Sequence, residues 1–233
     1  MKSSILAAAL ASCAAAPAAT PRAAWHGELE RWGTLREAMR DGEHEARVSV
    51  ADVARKGIYG VGALDGLRGE ITIANGEVWI TEGDVPRPVT HHDADAHATV
   101  LFVAEVHEWR AVRVETRVEP QDVDTYVKTQ AQLAGIDVAR PFPFLVDGAL
   151  APLRLHVVAG ECPMRARALA FELEVDSVEG RIVGIYAKDS SGVVCHGGSN
   201  MHAHAVLEQD GGLTGHVEVF GIAAGAMLVL PVR

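Results

Sequence analysis

The sequence predicts an α+β fold, an N-terminal β-sheet part with a few helices followed by strands alone. Three observations carry this. Asn75-Gly76 sits between two alternating apolar runs, a single good amphipathic helix spans Asp122 to Ala134, and a series of short apolar runs separated by turn residues follows it. Short strands at close turn spacing mark a sandwich or barrel. The boundary is expected near residue 150, with 23–150 as an α+β part and 151–233 as an all-β part.

Composition narrows the possible functions. The chain has 233 residues, 48% hydrophobic and 22% charged, an ordinary globular balance. Asp and Glu number 31 against 21 Lys and Arg, giving a net charge of -10. With no basic cluster, nucleic acid is not an expected partner, because phosphate binding needs a basic footprint. No apolar run reaches the roughly 18 residues of a membrane span. Three cysteines are too few for a disulfide scaffold or a paired CxxC zinc site, whereas 11 histidines are many.

Residues 1–22 read as an export signal and tether. Lys2 supplies a short positive region, Ile5 to Ala11 an apolar one, and an Ala/Pro-rich stretch follows. Leu10-Ala11-Ser12-Cys13 resembles a bacterial lipobox, with Cys13 as the lipidated residue. Ordinary cleavage near Ala16 or Ala19 is the other reading. The expected location is therefore outside the cytoplasm, periplasmic or anchored to the envelope through a lipid. In that oxidising setting Cys162 and Cys195 either pair or remain two separate buried thiols.

The elements follow in order. Thr34-Leu35-Arg36-Glu37 is a capping box opening a short helix that stops near Gly42. Ser49 to Arg55 is a second short helix, closed by Gly57. Glu70–Ala74 and Glu77–Ile80 form a hairpin about Asn75-Gly76, a pair suited to positive φ at both central positions. Thr99–Glu105 and Ala111–Thr116 are further strands. In the helix over 122–134, Val123, Tyr126, Val127, Leu133 and Ala134 fall on one face, and Gly135 ends it. Strands are then expected at Phe142–Val146, Leu153–Val158, Leu169–Val175, Arg181–Ala187, Val193–Cys195, Met201–Leu207, His216–Phe220 and Met227–Leu230.

The histidines carry the chemistry. His202 and His204 lie two apart in a strand, so they share a face. A hairpin turning symmetrically about Asp210 sets His204 opposite His216 and His202 opposite Glu218. Opposed Cβ atoms lie about 5 Å apart, so three imidazoles converge on one face and can hold a divalent metal. Three protein ligands leave a position for water or substrate, the catalytic arrangement. The same stretch fits the first motif of cupins. That family needs a further histidine downstream, and none follows His216. His91-His92-Asp93 with Asp95 and His97 reads as a solvated loop. Cys195-His196 is not a nucleophile and base, because strand neighbours point to opposite faces.

Several segments together resemble the bacterial alpha-acetolactate decarboxylase family. They are the run from Tyr59 through Gly62-Ala63-Leu64-Asp65-Gly66 to Glu70, the Asn75-Gly76 hairpin, Phe142 to Gly148, Gly180-Arg181-Ile182-Val183-Gly184, His202-Ala203-His204 and Gly215-His216-Val217. They stand in collinear order from about Trp32 to Phe220. The resemblance implies a mixed N-terminal sheet joined to a C-terminal β-barrel-like part with zinc between them, held by His202, His204 and His216. It implies decarboxylation of (S)-2-acetolactate to (R)-acetoin, with the metal as Lewis acid stabilising an enediolate and Glu70 as acid/base.

Some family residues are replaced. The family has Thr where Ala63 stands. Its active-site Arg falls on His156, with Arg154 two residues earlier on the same strand face. Its C-terminal Glu has Glu218 as a candidate replacement. The expected partner is a small hydroxy-keto acid, and a homodimer stays open as the assembly. A related zinc enzyme with another keto acid, or a non-catalytic metal- or ligand-binding module, is the alternative reading.

Overall fold

Two antiparallel β-layers pack face to face, and the second closes on itself as a barrel. The computed structural model describes residues 25, 27–83, 87–160 and 171–232. The leader with Cys13, and Cys162, lie outside the described residues.

The first sheet holds β1 (Leu29–Trp32), β2 (Val48–Ser49), β3 (Ile58–Leu64), β4 (Gly69–Ala74), β5 (Glu77–Glu82), β6 (Val89–His91) and β7 (His97–Glu105). Their order is β1-β7-β3-β4-β5-β6, with β2 also on β7. Its described pairings are all antiparallel, a plainer arrangement than the mixed sheet expected. Asn75 and Gly76 turn β4 into β5 with φ of 55° and 83°, the double positive φ that the sequence asks for.

The second sheet holds β8 (Trp109–Arg113), β9 (Phe142–Val157), β10 (Phe171–Val175), β11 (Val178–Tyr186), β12 (Met201–Leu207), β13 (Leu213–Ile222) and β14 (Met227–Pro231). β9 pairs with both β11 and β13, and β12 joins those two, so β9, β11, β12 and β13 form a closed four-strand barrel. Residue 150 falls inside β9, and β8 already belongs to the second sheet. The two strands expected at 142–146 and 153–158 are this one strand. Val193–Cys195 is not a strand but part of a turn-rich loop, tied by one bridge between Ser191 and Cys195.

Helices are few. Thr34 caps as expected, its Oγ1 accepting the Glu37 N–H at 3.1 Å, but the turn over Glu37–Asp41 winds as a π-helix, closed by Gly42 in the left-handed region. α1 (Val50–Val53) is a single turn. α2 (Val123–Leu133) buries Val123, Val127 and Ala131, one side chain per turn, against the barrel interior. Leu133, expected on that face, is 76% exposed. It lies two residues past Ala131, about 200° around the helix. No described helix is long and apolar enough to cross a membrane.

Period-2 alternation decides which side chains meet. On β4, Ile71 and Ile73 enter the core on the outer face of the first sheet, so Glu70 and Thr72 face the barrel. On β12, Ala203 and Ala205 fill the barrel interior, so His202 and His204 face the first sheet. Tyr59, Val61, Ala63 and Phe102 of the first sheet pack on Leu145, Val183 and Ile185 of the second. Beside this apolar contact runs a seam of threonines. Thr72 Oγ1 lies 2.5 Å from Thr214 Oγ1, the Thr214 N–H donates to Thr81 Oγ1 at 2.9 Å, and Thr81 Oγ1 lies 2.8 Å from Thr90 Oγ1.

Candidate functional site

The site forms where β4, β9, β12 and β13 face one another between the layers. His204 pairs with His216 in the β12–β13 register, as the symmetric turn predicts. Ligand nitrogens of His202, His204 and His216 all lie within 4.8 Å of one another. All three residues are buried. Among the described residues this is the group of acidic, thiol or imidazole side chains that meet closely enough to hold a metal.

Hydrogen bonds set the tautomers of two rings. His202 Nδ1 lies 2.8 Å from the Val194 carbonyl, which can only accept, so Nδ1 carries the proton and Nε2 a lone pair. For His204 the argument runs along a chain. Thr214 Oγ1 donates to the Ala205 carbonyl at 3.0 Å, so Thr72 must donate to Thr214. Thr72 Oγ1 then accepts from His204 Nδ1 at 3.1 Å, leaving Nε2 without a proton. That Nε2 is buried and has no hydrogen-bond partner. An orphaned imidazole lone pair beside two further imidazoles fits a metal, with the carbonyl and the threonine as the outer partners that fix ring orientation. Burial, and then the neighbouring histidines, holds His204 and His216 well below the usual imidazole range; burial first, with His196 next, brings His202 down to about 3. All three rings are thus neutral, the state in which imidazole binds metal.

Glu70 comes from the facing sheet. Its Oε1 accepts the Val158 N–H at 3.2 Å. Its Oε2 stands 3.6 Å from His204 Nε2, too far for a hydrogen bond. Burial pushes its carboxyl up to about 7, against opposing pulls from His156 and the Val158 N–H. Gly83 supports this arrangement, since a Cβ there would collide with the Val158 carbonyl oxygen.

His156 lies on β9 opposite His216 and lines the same cavity. Its Nδ1 is 2.8 Å from Glu218 Oε1. Burial opposes charging of His156, but the Glu218 hydrogen bond, with the Glu70, Glu218 and Glu172 charges, raises its pKa overall. Glu218 moves down, chiefly through the same hydrogen bond. Glu218 does not face His202 as the symmetric hairpin predicts. The β12–β13 ladder ends at the His204–His216 pair, Glu218 sits in a bulge of β13 against β9, and its half-exposed carboxylate reaches His156 instead. Arg154 shares the β9 face of His156 but is exposed, opposite Glu174 of β10, and does not line the cavity.

His196 is a fourth cavity histidine, weighed in the sequence only as a partner of Cys195 and not as part of this site. Its ring centroid is 4.7 Å from that of His216 and 6.1 Å from that of His202. Cys195 beside it turns away and keeps a free thiol, donating to the Ala187 carbonyl at 3.6 Å, with burial pushing its pKa up to about 12. The pair is therefore split as expected, though by a turn rather than a strand. Thr72 and Thr214 were also missed, although each lies two residues from a chosen residue and so on its strand face. Of the histidines at 91–97, His91 ends β6, His97 opens β7, and His92 packs edge-on against Trp79 with its Nδ1 2.9 Å from the Val78 carbonyl.

A small space of about 20 Å³ lies among Glu70, His156, His196, His202 and His216, walled by Leu35, Met39, Gly62, Ala63, Val100 and Val158. It has room for about one water.

Comparison with known proteins agrees with this geometry. The family model for alpha-acetolactate decarboxylase matches residues 33–232. An alpha-acetolactate decarboxylase from Streptococcus thermophilus is 24% identical over 215 residues, covering 88% of this chain and 84% of that protein. The crystal structure of alpha-acetolactate decarboxylase from Bacillus subtilis strain 168 superposes with a TM-score of 0.69 at 15% identity, over 88% of this chain and 85% of that one. A Staphylococcus aureus protein of unknown function, described as similar to alpha-acetolactate decarboxylase, gives 0.66 at 17% identity, over 87% and 84%.

Proposed function

This chain belongs to the alpha-acetolactate decarboxylase family, and on that premise we propose that it is a zinc-dependent carboxy-lyase converting (S)-2-acetolactate to (R)-acetoin and carbon dioxide. The observation that carries the reading is the orphaned His204 Nε2, within a buried triad of imidazoles and facing the buried carboxyl of Glu70. His202, His204 and His216 would hold the metal, which when bound supplies Lewis-acid polarisation of the substrate's ketone and hydroxyl oxygens.

The chain's own residues supply the rest. The bond between the carboxylate carbon and the hydroxyl-bearing carbon breaks, its electron pair moves toward the ketone oxygen, and one proton returns to carbon. Glu70 would move that proton through Oε2, a reading supported by its buried position facing the histidines with Oε1 held by the Val158 N–H. His156, oriented by Glu218, lines the cavity and would meet the substrate carboxylate, whereas Arg154 is exposed and does not line it. Leu35, Met39, Val100 and Val158 make the walls apolar and keep water from the reacting carbon. The leader supports an exported enzyme, anchored through Cys13 if lipidated.

The test uses the full mature chain, purified without chelators. Bound metal is quantified, and acetoin formation from racemic acetolactate is followed in the same sample. One zinc per chain and consumption of half the racemate are expected, and Glu70→Gln should keep the metal and lose turnover. Zinc without turnover would sink the named reaction. A related hydroxy-keto acid is the second reading, favoured by Ala63, which lines the cavity where the family motif has Thr.

A further inference from the structure

We propose that the groove between the Glu37–Asp41 turn and the loop over 190–198 is the entrance to the site, and that Arg36 and Arg40 on its rim select an anionic substrate. The proposal rests on the hydroxy-keto acid reading above and adds how such a molecule reaches the histidines.

Size makes an entrance necessary. The space at the histidines holds about 20 Å³, far too little for a hydroxy-keto acid. The groove holds about 220 Å³ and is open to solvent. The two share Leu35, Met39 and His196, so they adjoin at those side chains. Met39 lies in the π-helical turn and Leu35 just before it, four residues apart, and both line the histidine space. Such turns are frequent at functional sites, and a methionine with its unbranched thioether is suited to moving aside.

Charge gives the groove its selectivity. Among the described residues lining it there is no carboxylate, while Arg36 and Arg40 both lie along it, in a chain of net charge -10. The groove's walls are tied together, since the Leu35 N–H donates to the Val193 carbonyl at 3.1 Å and the Arg36 N–H to the Gly192 carbonyl at 2.7 Å. The Arg36 side chain lies along Gly192, where a Cβ would come within 3.6 Å of its Nε. A larger groove of about 370 Å³ on another side is lined by Asp124 and Glu218 and shares no residue with the histidine space. It would repel the same anion.

The experiment compares the metal-loaded full chain with the double variant Arg36→Gln/Arg40→Gln, both changes being at exposed positions. Two readouts are used: steady-state turnover of acetolactate against salt, and calorimetric binding of 2-hydroxy-2-methylpropanoate, an acid without the keto group that decarboxylation needs, beside neutral acetoin. The double variant should lose about tenfold in kcat/KM at low salt. The loss should sit in KM with kcat kept, and the salt dependence should flatten. Affinity for the hydroxy acid should fall by a similar factor while that for acetoin stays. If the unaltered chain binds the hydroxy acid in this Arg-dependent way but turns over no acetolactate, the proposed reaction fails and the entrance stands. Unchanged affinity and kcat/KM in the double variant overturn the entrance. So does an equal loss of hydroxy acid and acetoin, or no binding of the hydroxy acid to the unaltered chain.

Discussion

Thr72 Oγ1 accepts a hydrogen bond from His204 Nδ1 at 3.1 Å, across the interface between the two layers. One hydroxyl from the first sheet thereby decides which nitrogen of a barrel histidine stays bare. Thr72→Val keeps the shape and removes that control. It should weaken metal binding by about 10–100-fold, read by competition with a chromophoric chelator. Unchanged affinity would mean that the ring is fixed by something else.

Metal removal should lower stability, because a ligand that binds only the folded chain stabilises it. With free zinc a thousandfold above its dissociation constant the gain is about 4 kcal/mol. Stripping with a chelator should lower the melting temperature, and added zinc should restore it. His204→Ala or His216→Ala should abolish the response to zinc. A melting temperature indifferent to zinc in the unaltered chain would remove the triad as a metal site.

Gly83→Ala tests the support behind Glu70. The new methyl would press on the Val158 carbonyl and move the peptide whose neighbouring N–H holds Glu70 Oε1. A destabilisation of about 1–3 kcal/mol is expected, with turnover reduced and bound metal retained. Thermal melts, activity and metal analysis on one preparation separate the three effects.

The His156–Glu218 pair predicts a pH window. The pKa of Glu218 is depressed below 4.5 on folding, so its contribution is present above 4.5 and lost as pH falls through the depressed value. The pKa of His156 is raised above 6.5, so its contribution is present below 6.5 and lost as pH rises through the raised value. The melting-temperature difference between the unaltered chain and Glu218→Gln should therefore be largest between pH 4.5 and 6.5 and shrink on both sides. A difference that is flat with pH would show that the pair contributes no charge.

Local rules made much of this site readable. Alternation along β12 and the turn at 208–212 were enough to bring His202, His204 and His216 together, because pairing in a short hairpin is set by its turn. The same rule failed one step further on, at Glu218, because nothing in Val217-Glu218-Val219 announces a bulge. β9 was read as two strands because Gly148 and Pro152 look like punctuation. The strand survives them because its first half pairs with β11 and β14 and its second half with β10 and β13. The meeting of Glu70 with the histidines was legible only through family resemblance, since packing between two sheets leaves no local trace. His196 was hidden for the same reason: it sits in an irregular loop, where no period tells which way a side chain points.

All three imidazoles of the triad come from a single hairpin, whereas the carboxyl they face is contributed by a strand far earlier in the chain. Closing the short loop between His204 and His216 costs little chain entropy, while bringing in Glu70 requires the docking of two complete sheets. The affinity for an ion and the competence for chemistry thus depend on different parts of the folding process. On the proposed reading, a change that loosens the contact between the layers should leave a protein that still captures an ion but lacks the carboxyl facing it, so metal content alone would be a poor measure of an intact site.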